Sequence, residues 1–174
     1  MSKHDIVRMY SRAGENRVSD LEEIEAIRQL KYRYLRSVDL KDWPLLVSTF
    51  TADAVSAYDG GNQTHDGRDA IVAWLRSALD TTIVTLHQVH NPEIALTSAT
   101  TATGVWYLED RVINRGPDLP DMPGNSILSG AAFYADEYRK QSGQWKISRT
   151  GYERTYFEMR PYDEPTAYYS RWDT

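Results

Sequence analysis

The side chain with the most informative surroundings in this sequence is Asp110. Trp106, Leu108, Asp110 and Val112 occupy alternate positions of a long segment rich in β-forming residues, so they share one face of a predicted strand. A carboxylate among large apolar neighbours is costly to bury unless it is paired. The pattern leaves three alternatives open: a face turned to solvent, a structural arginine beside Asp110, or a functional carboxylate in a buried site.

A histidine on an earlier predicted strand is the candidate partner for this carboxylate. His87 lies in the middle of another predicted strand, where it is either a hydrogen-bonded packing residue or an acid/base group. An adjacent carboxylate raises the basicity of an imidazole and fixes its tautomer, which suits a general base. We therefore predict that Asp110 meets His87 and orients it.

Three further polar residues are candidates for the same site. Tyr34 lies on the apolar stripe of the first predicted helix. There it is either a core tyrosine bonded to a backbone carbonyl or a phenol that donates to a ligand oxygen. Asp39, at the end of that helix, is a cap or a loop anchor if its role is purely structural. Arg154, late in the last strand, is an ion-pair partner if its role is likewise structural.

The composition excludes several kinds of chemistry. The chain has 174 residues, 41% of them hydrophobic, which fits one globular domain. A net charge of −5 with no basic run disfavours a nucleic-acid partner. The absence of cysteine excludes disulfides, thiolate nucleophiles and iron–sulfur clusters. His87 and His90, three apart in a strand, point to opposite faces, so we predict no metal site.

The first residues of the sequence and the lengths of its apolar runs bear on location. The first twelve residues are polar and charged and lack the apolar core of a signal peptide. No run approaches the roughly 18 apolar residues of a membrane span. We expect a cytoplasmic protein without a membrane partner.

The pattern of the chain predicts helices first and long strands last. Residues 1–18 are expected to be a flexible arm. Ser19 and Glu22 form a capping box for the first helix, whose apolar stripe has spacings of three and four. The stripe consists of Leu21, Ile24, Ile27, Leu30, Tyr34 and Val38. Trp43 and Pro44 open a second helix that continues to about Phe50.

The remaining elements follow in the order expected of an α+β fold. The sequence predicts a strand over 54–58, a turn at 59–62, a short returning strand up to 66 and a helix over 71–78. Four longer strands follow, over 83–96 (interrupted at 91–92), 99–114, 127–139 and 144–157. A loop over 114–125 and a hairpin turn at 141–143 connect the last three of them. A single domain over residues 19–160 and a tail over 161–174 complete the division. We expect a curved sheet closing over a long helix, with a ligand pocket between them.

Several segments together resemble the SnoaL-like branch of the NTF2-like superfamily, and within it the bacterial bile-acid 7α-dehydratases. The matching segments, which keep their order over most of the chain, are IEAIRQLKYRYLRSVDLKDW (24–43), LHQVHNPEI (86–94), TTATGVWYLEDR (100–111), GAAFYADEY (130–138) and GQWKISRTGYER (143–154). The resemblance implies a cone-shaped half-barrel with N-terminal helices packed into a curved, mostly antiparallel sheet, and a homotrimer. The loop over 114–126 departs from it, being longer and richer in proline.

The resemblance also implies a site and a reaction. The family's active-site tyrosine, two aspartates, histidine and arginine fall on Tyr34, Asp39, Asp110, His87 and Arg154. The implied reaction is loss of water from a 7α-hydroxy-3-oxo-Δ4 steroid, as free bile acid or thioester, giving a 4,6-diene without a cofactor. The alternatives are another SnoaL-like dehydratase or isomerase, and a non-catalytic subunit such as that of a ring-hydroxylating oxygenase.

Overall fold

The computed structural model describes residues 3–162 and 167–173, and of residues 3–18 it describes the backbone alone. The helices are α1 (Lys3–Leu40), α2 (Trp43–Thr49) and α3 (Arg68–Ala78). The strands are β1 (Phe50–Tyr58), β2 (Gln63–Asp66), β3 (Ile83–Leu96), β4 (Thr101–Asn114), β5 (Ser126–Gln141) and β6 (Gln144–Pro161). A 3₁₀ turn at Asp59–Gly61 joins β1 to β2. The predicted tail, residues 161–174, lies partly outside the described residues.

The first helix is longer than predicted. It begins at Lys3, so the predicted start at Ser19 is wrong, and the backbone of residues 3–18, expected to be an arm, continues the same helix. Its sequence contains no proline and many good helix formers, which allows the helix to extend past the capping-box pattern.

The apolar stripe of α1 faces the core along most of its predicted length. Ile27, Leu30, Tyr34 and Val38 are all buried. Leu21, by contrast, is 65% exposed, so the stripe begins later than predicted. Tyr34 is thereby held against the inner face of the sheet, as its position on the stripe predicted.

The six strands form one mixed sheet in the order β2-β1-β6-β5-β4-β3. β1 runs parallel to β6, and the other neighbours are antiparallel. α1 packs against β3 and β6, and α3 packs against β1 and β2. The helices therefore cover one face of a curved sheet, which confirms the predicted α+β architecture.

Two irregularities of the sheet have local sequence causes. The predicted interruption of β3 is a bulge: the register with β4 shifts between His90 and Glu93, and Asn91 has a φ of 46°. Ser142 and Gly143 both have positive φ in the hairpin turn between β5 and β6. The strands continue on either side, so inward and outward faces can be read along them.

The proline-rich segment between β4 and β5 is organised by one buried side chain. Asn114 donates from Nδ2 to the carbonyls of Pro117, Met122 and Pro123, at 2.9–3.2 Å. Arg115, the next residue, pairs with Asp173 at 2.6 Å and joins the C-terminal segment to this loop. Within the described part of the chain, no helix has the length and apolar character needed to cross a membrane.

Candidate active site

His87 is hydrogen-bonded to Asp39, at the end of α1. The distance from His87 Nδ1 to Asp39 Oδ1 is 2.6 Å. Asp39 also accepts from the backbone N–H of His87, at 3.0 Å, and from Thr85 Oγ1, at 2.8 Å. Because a carboxylate only accepts, Nδ1 carries a proton, and in the neutral imidazole the lone pair then lies on Nε2. Asp39 thus fixes the tautomer that leaves Nε2 as a base.

Asp110 pairs with Arg154 and not with His87. The guanidinium donates two hydrogen bonds to the Asp110 carboxylate, at 2.9 Å and 2.7 Å. His87 and Asp110 are direct neighbours in the register of β3 and β4, so the predicted proximity is confirmed. The predicted orienting role of Asp110 is wrong, because the helix end presents Asp39 to the imidazole while Arg154 occupies both Asp110 oxygens.

The Asp110–Arg154 ion pair is buried and geometrically strong. The two side chains are 3% and 13% exposed, and a bidentate arginine–carboxylate pair satisfies both partners. Burial lowers the pKa of the Arg154 guanidinium, but the hydrogen bonds and the charge of Asp110 outweigh burial and raise the pKa overall. Arg154 therefore remains a fixed cation in the wall of the site.

A glycine makes this ion pair possible. Arg154 lies on β6 and Asp110 on β4, with Gly130 of β5 between them. A Cβ atom at position 130 would lie 2.8 Å from Arg154 Nη1 and 2.7 Å from the Tyr156 carbonyl oxygen. The absence of a side chain lets the guanidinium cross β5 and reach the next strand.

Two phenols form another wall of the site. The hydroxyls of Tyr34 and Tyr58 lie 3.0 Å apart, and both residues are buried. Tyr34 is thus bonded to a second phenol and not to a backbone carbonyl. Burial raises the pKa of both hydroxyls well above the ordinary tyrosine value, so both remain protonated and able to donate.

Behind this wall lies a buried ion pair. Lys31 Nζ contacts Asp136 Oδ2 at 2.7 Å, and both side chains are fully buried. Asp136 also accepts from Tyr138 and Thr150. The Lys31 ammonium lies 3.4 Å from the centre of the Tyr134 ring. This network supports the inner end of the site from the core.

These groups enclose a cavity of about 100 Å³ between α1, α3 and the sheet. It is lined by Tyr34, Leu35, Val38, Tyr58, Trp74, Leu75, Ala78, Leu79, His87, Asp110, Val112, Tyr134, Tyr152 and Arg154. A larger depression of about 560 Å³, beside Glu23 and Lys140, is more polar, and His87 does not line it. The smaller cavity is the candidate site because it brings the acid/base groups together in an apolar enclosure.

The structure brings together all five residues singled out from the sequence. Four line the cavity, and the fifth, Asp39, contacts it through His87. Sequence reasoning missed four participants: Tyr58, Thr85, Gly130 and Tyr152. Thr85 shares its strand face with His87 and could have been found from the period of two. The role of Gly130 depends on a contact across three strands, which no local pattern contains.

Comparison with known proteins identifies the family. A family model described as a SnoaL-like domain matches residues 19–151. The chain belongs to the SnoaL-like family. This match includes four of the five polar site residues, and Arg154 follows just beyond it.

Solved structures share the fold of this SnoaL-like chain. A type 2 hexachlorocyclohexane dehydrochlorinase is 23% identical with a TM-score of 0.72, over 86% of this chain and 99% of that one. A candidate scytalone dehydratase from Novosphingobium aromaticivorans is 24% identical with a TM-score of 0.68, over 85% and 93%. A cystatin-like protein from Caulobacter vibrioides has a TM-score of 0.63 at 18% identity, over 78% and 91%. The architecture is the α+β cone of NTF2-like proteins.

Proposed function

We propose that this SnoaL-like protein is a cofactor-free lyase in which His87, oriented by Asp39, removes a carbon-bound proton and a neighbouring carbon loses its leaving group. The observation that carries the proposal is the 2.6 Å contact between His87 Nδ1 and Asp39 at the wall of a largely apolar cavity. A carboxylate bonded to Nδ1 leaves Nε2 free to accept a proton and stabilises the imidazolium that forms.

The proposed reaction balances without an external reagent. Nε2 of His87 takes a proton from a carbon made acidic by conjugation to a carbonyl. The electron pair of the broken C–H bond moves into the conjugated system and places charge on the carbonyl oxygen. The resulting enolate expels the leaving group, and the His87 cation returns the proton to it, so that hydroxide departs as water.

The other polar groups have separate proposed roles. Tyr34, bonded to Tyr58, donates to the carbonyl oxygen as charge develops there, and a donor of this kind can contribute on the order of 3 kcal/mol. Arg154 supplies positive charge near the departing group, and Asp110 holds the guanidinium in place. Each role follows from the hydrogen-bonding capacity that the fold gives the residue.

The names of structural neighbours support the reaction class. One is a hexachlorocyclohexane dehydrochlorinase and another a candidate scytalone dehydratase. Dehydrochlorination and dehydration are both eliminations, in which a C–H bond breaks and a leaving group departs from the adjacent carbon. A base beside a compact apolar cavity suits either reaction.

Within this class we propose a 7α-hydroxy-3-oxo-Δ4 steroid or bile acid as substrate, free or as a thioester. The C6 protons of such a molecule are vinylogous to the ketone, the 7α-hydroxyl is the leaving group, and the product is a 4,6-diene. The five residues implied by the family resemblance support this choice because they converge on one cavity. A cavity of about 100 Å³ has room for only one part of a four-ring nucleus. Pockets for drug-sized ligands measure about 300–1,000 Å³, so the wall must open for this substrate.

A substrate panel tests the proposal. The purified protein is incubated with a 7α-hydroxy-3-oxo-Δ4 bile acid, its thioester, scytalone and a hexachlorocyclohexane, and products are identified by mass spectrometry. We expect one substrate to lose water or hydrogen chloride, and the bile acid to give the long-wavelength absorbance of a diene. Turnover of scytalone or the chlorinated compound alone would support lyase activity and reject the steroid as substrate. Turnover of none, together with co-purification of an oxygenase partner, would reject the enzyme.

The same assay tests the base. His87→Ala is expected to lower kcat by about 10²–10⁴, the usual range for a lost general base. Circular dichroism checks that the variant is folded. Near-normal turnover by folded His87→Ala protein would show that another group removes the proton.

A further inference from the structure

Trp74, on α3, is the central ring of a three-ring stack at one end of the cavity. Its indole lies 5.3 Å from the Tyr58 ring at an interplanar angle of 17°, and 4.8 Å from the His65 ring at 30°. Tyr58 and Trp74 line the cavity. His65 lies on β2, the edge strand, so the stack extends from the cavity to the edge of the sheet.

The topology places this stack across the cavity from the base. In the sheet order, β2 and β1 lie at one edge and β3, which carries His87, lies at the other. α3 packs on β1 and β2, whereas Asp110 and Arg154 come from β4 and β6. Tyr58 of β1 and Trp74 of α3 therefore line the part of the cavity that lies towards β1, away from the strand that carries His87.

The burial pattern of α3 separates this wall from the anchor of the helix. Ile71, Val72 and Leu75 are the buried residues that hold α3 in the core. Trp74 is only partly buried and packs against the edge of the core cluster. A smaller side chain at position 74 therefore enlarges the cavity while the three anchoring contacts remain.

We propose that Trp74 determines the size of the ring system that the cavity accepts. With the indole stacked on Tyr58, the cavity measures about 100 Å³ and accommodates one ring of the substrate beside His87, so the indole must be displaced before the rest of a four-ring nucleus can enter. Removing the indole opens this end of the cavity, so that a fused, multi-ring enone binds without that displacement. The inference rests on the proposed function for the position of the substrate, but size selection is measurable without turnover.

The test compares two enones that share a reactive group and differ in ring number. Cyclohex-2-enone and androst-4-ene-3,17-dione are titrated into ¹⁵N-labelled protein, and dissociation constants are taken from shifts of the amide signals of β3 and β4. In Trp74→Ala, we expect the affinity for the four-ring enone to rise by about tenfold or more relative to the single-ring enone, a typical energy for matching an apolar pocket to a larger group. Trp74→Phe, which keeps an aromatic ring in the stack, is expected to show a smaller change.

Trp43→Ala is the matched control. Trp43 is also a partly buried tryptophan packed against the core cluster, but it lies on α2 and does not line the cavity. We expect this variant to retain the wild-type affinity ratio. An unchanged ratio in the folded Trp74 variants, or an equal change in Trp43→Ala, would overturn the proposal. Because binding is measured, failure of the elimination reaction itself would be seen separately, as absence of product with the Trp74 effect intact.

Discussion

Asp39 is the residue on which the acid/base chemistry depends most directly. It accepts three hydrogen bonds, two from His87 and one from Thr85. An asparagine at this position has the same shape but can present an N–H to Nδ1, which favours the tautomer with the proton on Nε2. The imidazole would then present a donor where a base is needed.

We therefore predict that Asp39→Asn lowers kcat by about 10²–10⁴ with a smaller effect on KM, because tautomer and charge are lost while the cavity keeps its shape. Steady-state kinetics on a substrate from the panel measure both constants. Thr85→Val, which removes one hydrogen bond to Asp39 and leaves the Nδ1 contact, is the control and should have a much smaller effect. Equal losses in the two variants would argue against a tautomer role.

Asp110 is expected to act on stability as well as on rate. Asp110→Asn leaves the Arg154 charge buried without a full counter-charge, and breaking a buried pair typically costs about 3–5 kcal/mol. Urea denaturation should show that loss in the free energy of unfolding. The double variant Asp110→Leu with Arg154→Met removes both charges and should recover much of it. A double variant less stable than Asp110→Asn would contradict this account of the pair.

At the scale of elements, β5 provides the gap through which β6 reaches β4. We predict that Gly130→Ala weakens the Arg154–Asp110 pair, because the new Cβ would overlap Arg154 Nη1 and the backbone oxygen of Tyr156. Overpacking of this kind costs about 1–3 kcal/mol. Urea denaturation of the variant in wild-type and Arg154→Ala backgrounds measures the coupling. An equal cost in both backgrounds would place the strain entirely in the backbone.

The sequence predicted the secondary-structure elements better than the contacts between them. Periodicity predicted the strands and the face that Asp110 shares with Trp106 and Leu108, because each depends on neighbours along the chain. It could not identify Asp39 as the partner of His87 or Arg154 as the partner of Asp110. The first depends on where the end of α1 meets β3, and the second depends on the space above Gly130. The early start of α1 was missed because a capping-box pattern at Ser19 also occurs inside a continuous helix.

For the whole molecule, buried phenols predict sensitivity to alkali. Burial raises the pKa of Tyr34, Tyr58, Tyr134 and Tyr138 well above the ordinary value of about 10. Above that pH the unfolded chain has released protons that the folded chain retains, so stability falls as pH rises. Burial lowers the pKa of Lys31 and of Lys41, which acts in the opposite sense, but through two groups against four.

We expect the urea midpoint to fall as pH rises through about 10, and the tyrosinate absorbance of the buried phenols to appear only as the protein unfolds. Complete titration of all tyrosines in a protein that retains its circular dichroism would contradict this account.

The outer face of the sheet suggests how copies of the molecule associate. Tyr107 and Phe133 stack at 4.9 Å on this face and are 39% and 46% exposed. We propose that the patch contacts a second copy in the homotrimer implied by the family resemblance, because stacked, exposed aromatics are characteristic of interfaces. Phe133→Asp should lower the mass measured by light scattering, while Leu21→Asp, at another exposed site, should not. A monomeric wild-type protein at micromolar concentration would reject the proposal.

The central claim is that His87, oriented by Asp39, removes a proton from carbon. Its most direct measurement is deuterium incorporation from D₂O into enones that have no leaving group, namely cyclohex-2-enone and a 3-oxo-Δ4 steroid without a 7α-hydroxyl, followed by mass spectrometry. The account predicts that the wild-type protein accelerates exchange of at least one enone at the γ-carbon, whose protons are vinylogous to the ketone. It also predicts that exchange with His87→Ala proceeds at the rate measured in buffer alone. Exchange by His87→Ala at the wild-type rate, or no acceleration by the wild-type protein, would contradict it.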